Sequence, residues 1–62
     1  MMPIVQIDFV AGRTIEQKRV MVKKVTEAIS TSIGCSENAV TVILRELPKE
    51  SFAEGGTLLS DK

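Results

Sequence analysis

The sequence predicts an α+β fold: a β-α-β subunit with parallel strands, followed by a short C-terminal β-hairpin. Two segments with alternating apolar residues, Ile4–Val10 and residues 39–47, predict the strands. About thirty residues with a helical pattern separate them, which favours a right-handed crossover between parallel strands. Gly55-Gly56 suits the tight turn of the hairpin. Because two strands alone are unstable in water, we expect dimerisation to extend the sheet.

The helix between the strands has clear start and stop signals. Thr14 followed three residues later by Gln17 is a capping box, and Gly34 is the expected left-handed residue after the last turn. These signals predict a helix that ends near Ile33. Its apolar residues recur at helical spacing on one stripe: Met21, Val22, Val25, Ala28, Ile29 and Ile33.

Size and composition favour self-association of a single domain, residues 1–62. A chain of 62 residues buries only about 60% of its unfolded surface, yet 44% of this one is hydrophobic. Cys35 is the only cysteine and histidine is absent, so neither an internal disulfide nor a zinc site is expected. Eight basic and eight acidic residues cancel, which argues against nucleic-acid or membrane partners. Without an export signal or a membrane span, we expect a cytoplasmic protein whose residues 60–62 fray.

Pro3 follows two methionines and has two interpretations. If the mature chain begins at Pro3, its secondary amine can act as a base, since an α-amino group titrates near ~8. Behind Met2 it is an amide without basicity, and Pro3 is then an ordinary strand-entry proline. Met2-Pro3 is a good site for methionine removal and Met1-Met2 a poor one. We expect residues 1–2 to be removed or disordered.

Two further residues stand out from their surroundings. Arg13 follows the first strand, where it is either solvated or a clamp that binds a carboxylate through two parallel hydrogen bonds. Phe52 lies in an otherwise polar segment, where it is either an anchor at a subunit contact or an apolar wall beside a site.

Taken together, these features resemble the 4-oxalocrotonate tautomerase family. The resemblance rests on Pro3 before the first strand, on Gly12-Arg13-Thr14 followed by Glu16-Gln17-Lys18, and on Phe52 ahead of Gly55-Gly56. It implies subunits that pair through a shared four-stranded sheet, with three dimers usually forming a hexamer. It also implies proton transfer between an oxygen and a carbon of a small enol or dienol carboxylate, without a metal or organic cofactor.

The resemblance assigns roles to four residues: Pro3 is the general base, Arg13 holds the substrate carboxylate, Val10 lines the pocket and Phe52 keeps it dry. Two positions depart from the family pattern. Thr41 stands where well-studied members have an arginine, donated by a neighbouring subunit, that polarises the carbonyl. Glu54 stands where they have an apolar wall residue. We therefore expect a weaker or shifted tautomerase that prefers monocarboxylates.

Two alternatives remain open from the sequence. One is hydration or dehalogenation of an unsaturated acid on the same fold, with Glu54 positioning water. The other is a non-catalytic homo-oligomeric scaffold that keeps the fold without the free amine, which a blocked terminus and Thr41 would both favour.

Overall fold

The computed structural model describes residues 2–62. Of residues 1–2, which are expected from the sequence to be removed or disordered, Met1 lies outside the described residues. Strand β1 spans Ile4–Val10, helix α1 spans Ile15–Ile33 and strand β2 spans Thr41–Leu47. The two strands pair in parallel register, from Ile4 opposite Thr41 to Val10 opposite Leu47. The predicted β-α-β arrangement is confirmed.

Helix α1 begins and ends at the predicted signals. Thr14 Oγ1 accepts a hydrogen bond from the Gln17 backbone N–H at 3.1 Å, and the Thr14 N–H donates to Gln17 Oε1 at 2.9 Å. These reciprocal bonds satisfy two of the free N–H groups of the first turn. Gly34 follows the last turn in the left-handed conformation, with φ of 72°.

Loss of this cap is expected to destabilise the protein. Thr14→Ala removes the side-chain acceptor and should lower the free energy of unfolding by about 1 kcal/mol. Thr14→Ser keeps the hydroxyl and serves as the control. Chemical denaturation at a fixed protein concentration measures both variants, and an unchanged midpoint for Thr14→Ala would contradict the role of the capping box.

Strand β2 begins two residues later than the alternation of residues 39–47 predicts. Residues Glu37–Ala39 form a 3₁₀ turn in which the Ser36 side chain accepts from the Asn38 N–H at 3.3 Å. The Val40 N–H donates to the Glu37 carbonyl at 3.1 Å, so it belongs to the turn rather than to the strand. The local hydrogen bonds of Ser36 and Glu37 outweigh the strand preference of the residues that follow.

The C-terminal arm, residues 48–62, packs chiefly on itself. It contains the predicted hairpin, with β3 at Ala53–Glu54 paired antiparallel to β4 at Thr57–Leu58. The Leu59 N–H donates to the Phe52 carbonyl at 2.8 Å and closes the base of this hairpin. Short 3₁₀ turns precede and follow it, at Lys49–Ser51 and Leu59–Asp61.

One face of the β1–β2 sheet packs on the helix and the other, here called the open face, does not. Along β1 the half-buried residues Val5, Ile7 and Phe9 alternate with exposed ones, as expected for a strand covered on one side. No residue among positions 2–62 is fully buried in the single subunit. Within the same residues, no helix is long and apolar enough to cross a membrane. The open face consists of Ile4, Gln6, Asp8, Val10, Thr41, Ile43, Arg45 and Leu47.

Candidate functional site

Arg13 lies just beyond the carboxyl end of the sheet, in the connection between β1 and α1. The Ala11 N–H donates to the Leu47 carbonyl at 2.8 Å, which continues the β1–β2 ladder past Val10. Gly12 then adopts a φ of 133°, which side-chain-bearing residues rarely adopt, and turns the chain toward the helix. Because Thr14 caps α1 immediately afterwards, Arg13 is held between a fixed strand end and a fixed helix start.

An open pocket of about 230 Å³ surrounds this arginine. Its apolar wall comes from Phe9 on β1 and Met21 on α1, and its polar wall from Gln17 and two cationic side chains, Arg13 and Lys18. A pocket of this kind suits a small molecule with an anionic group at one end and an apolar body at the other.

The two cations of the pocket differ in their availability. Lys18 Nζ forms an ion pair with Glu46 near the end of β2, which ties the first turns of α1 to the sheet. Within residues 2–62, no carboxylate lies within ion-pair distance of Arg13. Arg13 therefore offers the uncompensated positive charge of the pocket, and its planar guanidinium can hold a carboxylate at two points.

Pro3 and Thr41 lie at the opposite end of the sheet. The Thr41 N–H donates to the Pro3 carbonyl at 3.0 Å, at the point where both strands begin. Pro3 is half-buried, whereas Met2 before it is 73% exposed. Seven residue steps separate Pro3 from Val10, which corresponds to about 23 Å along a strand.

Phe52 and Glu54 belong to the C-terminal arm, which leaves the sheet after the carboxyl end of β2. Phe52 is half-buried in the arm. Glu54 is 65% exposed, and its Oε2 lies 4.0 Å from Lys62 Nζ, a pair too exposed to fix either side chain firmly. A single subunit thus places Pro3 and Thr41 at one end and Val10 and Arg13 at the other, with Phe52 on the arm beyond.

The residues that define this arrangement also match a family model described as "Tautomerase enzyme", which covers residues 3–62. The chain belongs to the tautomerase family. It is accordingly an enzyme of the isomerase class, and the resemblance to 4-oxalocrotonate tautomerases is confirmed.

Relatives of this tautomerase cover it almost completely. The 2-hydroxymuconate tautomerase of Bacillus subtilis (strain 168) is 45% identical over 60 residues, which are 97% of each chain. A solved 4-oxalocrotonate tautomerase homologue superposes with a TM-score of 0.94 at 38% identity, covering 98% of this chain and 97% of its own. A 4-oxalocrotonate tautomerase isozyme from Methylibium petroleiphilum gives a TM-score of 0.89 at 34% identity, covering 95% and 92%.

Reasoning from the sequence missed several lining residues of the tautomerase pocket. The sequence assigns Gln17 only to the helix cap and gives Lys18 no role in a pocket. A usable signal was present, because Gln17 and Met21 are one helical turn apart on the helix that begins two residues after Arg13. The ion pair between Lys18 and Glu46 had no such signal, since it depends on how the helix lies across the sheet.

Proposed function

We propose that this tautomerase interconverts the enol and keto forms of small 2-hydroxydienoate or enolpyruvate-type acids, with the Pro3 amine as general base. The observation that carries the proposal is the pocket at Arg13, where an uncompensated guanidinium faces the apolar side chains of Phe9 and Met21. In support, the family match begins at Pro3. The active form therefore begins at Pro3, with residues 1–2 removed.

In the proposed reaction the neutral Pro3 amine accepts the proton of the enol hydroxyl. It then returns a proton to a carbon of the conjugated chain, so that the double bond shifts and the ketone forms. An apolar surrounding and a nearby cation both lower the pKa of an amine and keep it neutral. Arg13 binds the carboxylate and fixes the substrate, and Thr41 donates a hydrogen bond to the oxygen on which negative charge develops. Proton transfer of this kind needs no metal or organic cofactor.

This reaction requires neighbouring subunits, because one chain separates the base from the carboxylate clamp by about the length of a strand. We propose that Pro3 of one subunit meets Val10, Arg13 and Phe52 of its neighbours in a homo-oligomer, a dimer or a hexamer of three dimers. The free outer edge of β1 and the projecting arm support this assembly. An antiparallel partner strand along β1 would bring the amino end of one subunit to the carboxyl end of the other.

The proposed substrate preference follows from the charges near the site. Thr41 supplies a neutral hydrogen bond, and Arg45 cannot replace a missing arginine because it lies four residues further along β2, about 13 Å away by strand rise. Glu54 adds a negative charge that the exposed pair with Lys62 offsets only weakly. One carboxylate can therefore be held at Arg13, while a second would be repelled by Glu54.

A kinetic comparison of two substrates tests this proposal. We expect kcat/KM to be higher for an enol acid with one carboxylate than for a 2-hydroxydienedioate with two. Thr41→Arg should raise kcat/KM for the dicarboxylate by roughly ten- to a hundredfold, because a charged donor contributes about 1.5–3 kcal/mol. Thr41→Val removes the hydroxyl at nearly constant volume, serves as the matched control and should lower the rate on both substrates.

Each outcome of this comparison is decisive. Tautomerisation of neither substrate by a chain that begins at Pro3 would contradict the proposed reaction. Equal or faster turnover of the dicarboxylate would keep the reaction but overturn the preference assigned to Thr41 and Glu54.

A further inference from the structure

The open face of the sheet carries a compact polar cluster between apolar ends. Arg45 lies directly opposite Asp8 in the strand register, and the two form a two-point ion pair. Arg45 Nε donates to Asp8 Oδ1 at 2.7 Å, and Nη2 donates to Oδ2 at 3.3 Å. Rotation of the Gln6 amide by half a turn would let its oxygen accept from Arg45 Nη2 at 2.6 Å. We call Gln6, Asp8 and Arg45 the sheet cluster.

The sheet cluster is internally balanced. The hydrogen bond from Arg45 lowers the pKa of Asp8, against a smaller opposing effect of burial, and the carboxylate in turn raises the pKa of Arg45. The pair contributes no net charge, so the sheet cluster offers no surplus positive charge to nucleic acid or to an anionic membrane. Its apolar neighbours are strongly exposed, Ile4 at 66% and Ile43 at 41%.

The dimensions of the subunit indicate that part of its surface is made to be covered. A compact chain of this mass exposes about 4,000 Å², whereas this subunit exposes 4620 Å². Its radius of gyration is 14.7 Å, against about 11 Å for a compact domain of this length. The excess area is similar to the roughly 800 Å² that each partner buries in a standard interface.

We propose that the sheet cluster determines which copies of this chain can cover the open face when subunits assemble. This inference rests on the assembly given under the proposed function. A positive and a negative group side by side are complementary to themselves, because a rotated copy can present each charge to its opposite. A second copy also brings apolar side chains that can pack on the exposed Ile4 and Ile43.

The selectivity follows from the cost of removing charges from water. An ion pair that becomes covered loses its hydration, and its remaining hydrogen-bonding positions must be met by the partner. A copy with the same cluster can meet them, whereas a purely apolar face leaves them unsatisfied. The sheet cluster thus adds little to the strength of association but disfavours chains that lack it.

Paired variants test this inference by sedimentation across a dilution series. Asp8→Leu leaves Arg45 without its partner, and Arg45→Met leaves Asp8 without its partner. Each should raise the concentration at which the assembly half-dissociates by at least tenfold. The double variant Asp8→Leu/Arg45→Met should assemble like the wild type, because both charges are gone. When mixed with wild-type chains, it should form separate assemblies in native mass spectra.

The control is Glu16→Gln/Arg19→Met, which removes an equally charged but exposed pair on α1 and should leave assembly unchanged. The inference would be overturned if the single variants half-dissociated at the same concentration as the wild type. It would also be overturned if the double variant mixed freely with wild-type chains or failed to fold by circular dichroism. A wild-type protein that stays monomeric at every concentration would instead remove the assembly on which the proposed function depends. The two failures are therefore distinguishable.

Discussion

A preparation that begins at Pro3 is expected to tautomerise enol acids about 10²- to 10⁴-fold faster than one that retains Met2, which is the range for loss of a general base. The difference comes from the covalent state of the Pro3 nitrogen. Methionine at position 2 converts the Pro3 nitrogen into an amide, which cannot accept a proton near neutral pH, whereas a free α-amine can. Intact mass assigns the first residue of each preparation, and initial rates at matched subunit concentration give the ratio.

Pro3→Ala in a chain processed to the same position gives the matched control. Its terminal amine is retained as a primary amine, so its rate should fall below that of the Pro3 chain yet stay above that of the chain with Met2. Sedimentation of all three preparations shows whether assembly is the same, which separates loss of the base from loss of the oligomer. Equal measurable rates for the chains with and without Met2 would rule out the amine as the base, whereas no turnover by either chain would favour a non-catalytic scaffold.

The local part of the fold was predictable because its signals lie close together in the sequence. The capping box of Thr14 and Gln17 spans one turn, and strand alternation in β1 needs only its own seven residues. Alternation places the start of β2 two residues too early, because the Ser36 cap forms a 3₁₀ turn that alternation cannot reveal. Propensity patterns describe single elements well, but competing local hydrogen bonds move their ends.

The residues of the candidate site were predictable from the sequence, but not all of their contacts in the folded subunit were. Pro3 and Arg13 are ten positions apart in the sequence, yet a straight strand puts them at opposite ends of the subunit. Lys18 similarly gives no sign in the sequence that Glu46 will neutralise it. The separation of Pro3 from Arg13 follows from strand β1 alone, whereas the ion pair of Lys18 with Glu46 depends on how the helix lies across the sheet, which is not a local property. Strand β1 shows that Pro3 and Arg13 of one subunit cannot meet, which agrees with the self-association that the composition predicts.

Arg13→Met is expected to lower kcat/KM for a monocarboxylate enol acid by roughly ten- to 150-fold, mostly through a higher KM. A hydrogen-bonded contact to a charged group contributes about 1.5–3 kcal/mol, and binding of the distant carboxylate is largely the same in the ground state and the transition state. The loss should not be made up by Lys18, because Glu46 already compensates that charge. Steady-state kinetics over a range of substrate concentrations separates KM from kcat.

Two control variants, Arg13→Lys and Arg19→Met, test whether the effect depends on the guanidinium in the pocket. Lysine keeps the charge but loses the planar two-point contact, so Arg13→Lys should recover only part of the affinity. Arg19 carries the same group on the exposed side of α1, paired with Glu16 and outside the pocket, so Arg19→Met should match the wild type. If Arg13→Met kept the wild-type KM, the carboxylate would have to bind elsewhere. Within residues 2–62 the other cation that lines this pocket is Lys18, whose charge Glu46 compensates. If the carboxylate bound there, Glu46→Gln would free Lys18 and lower KM.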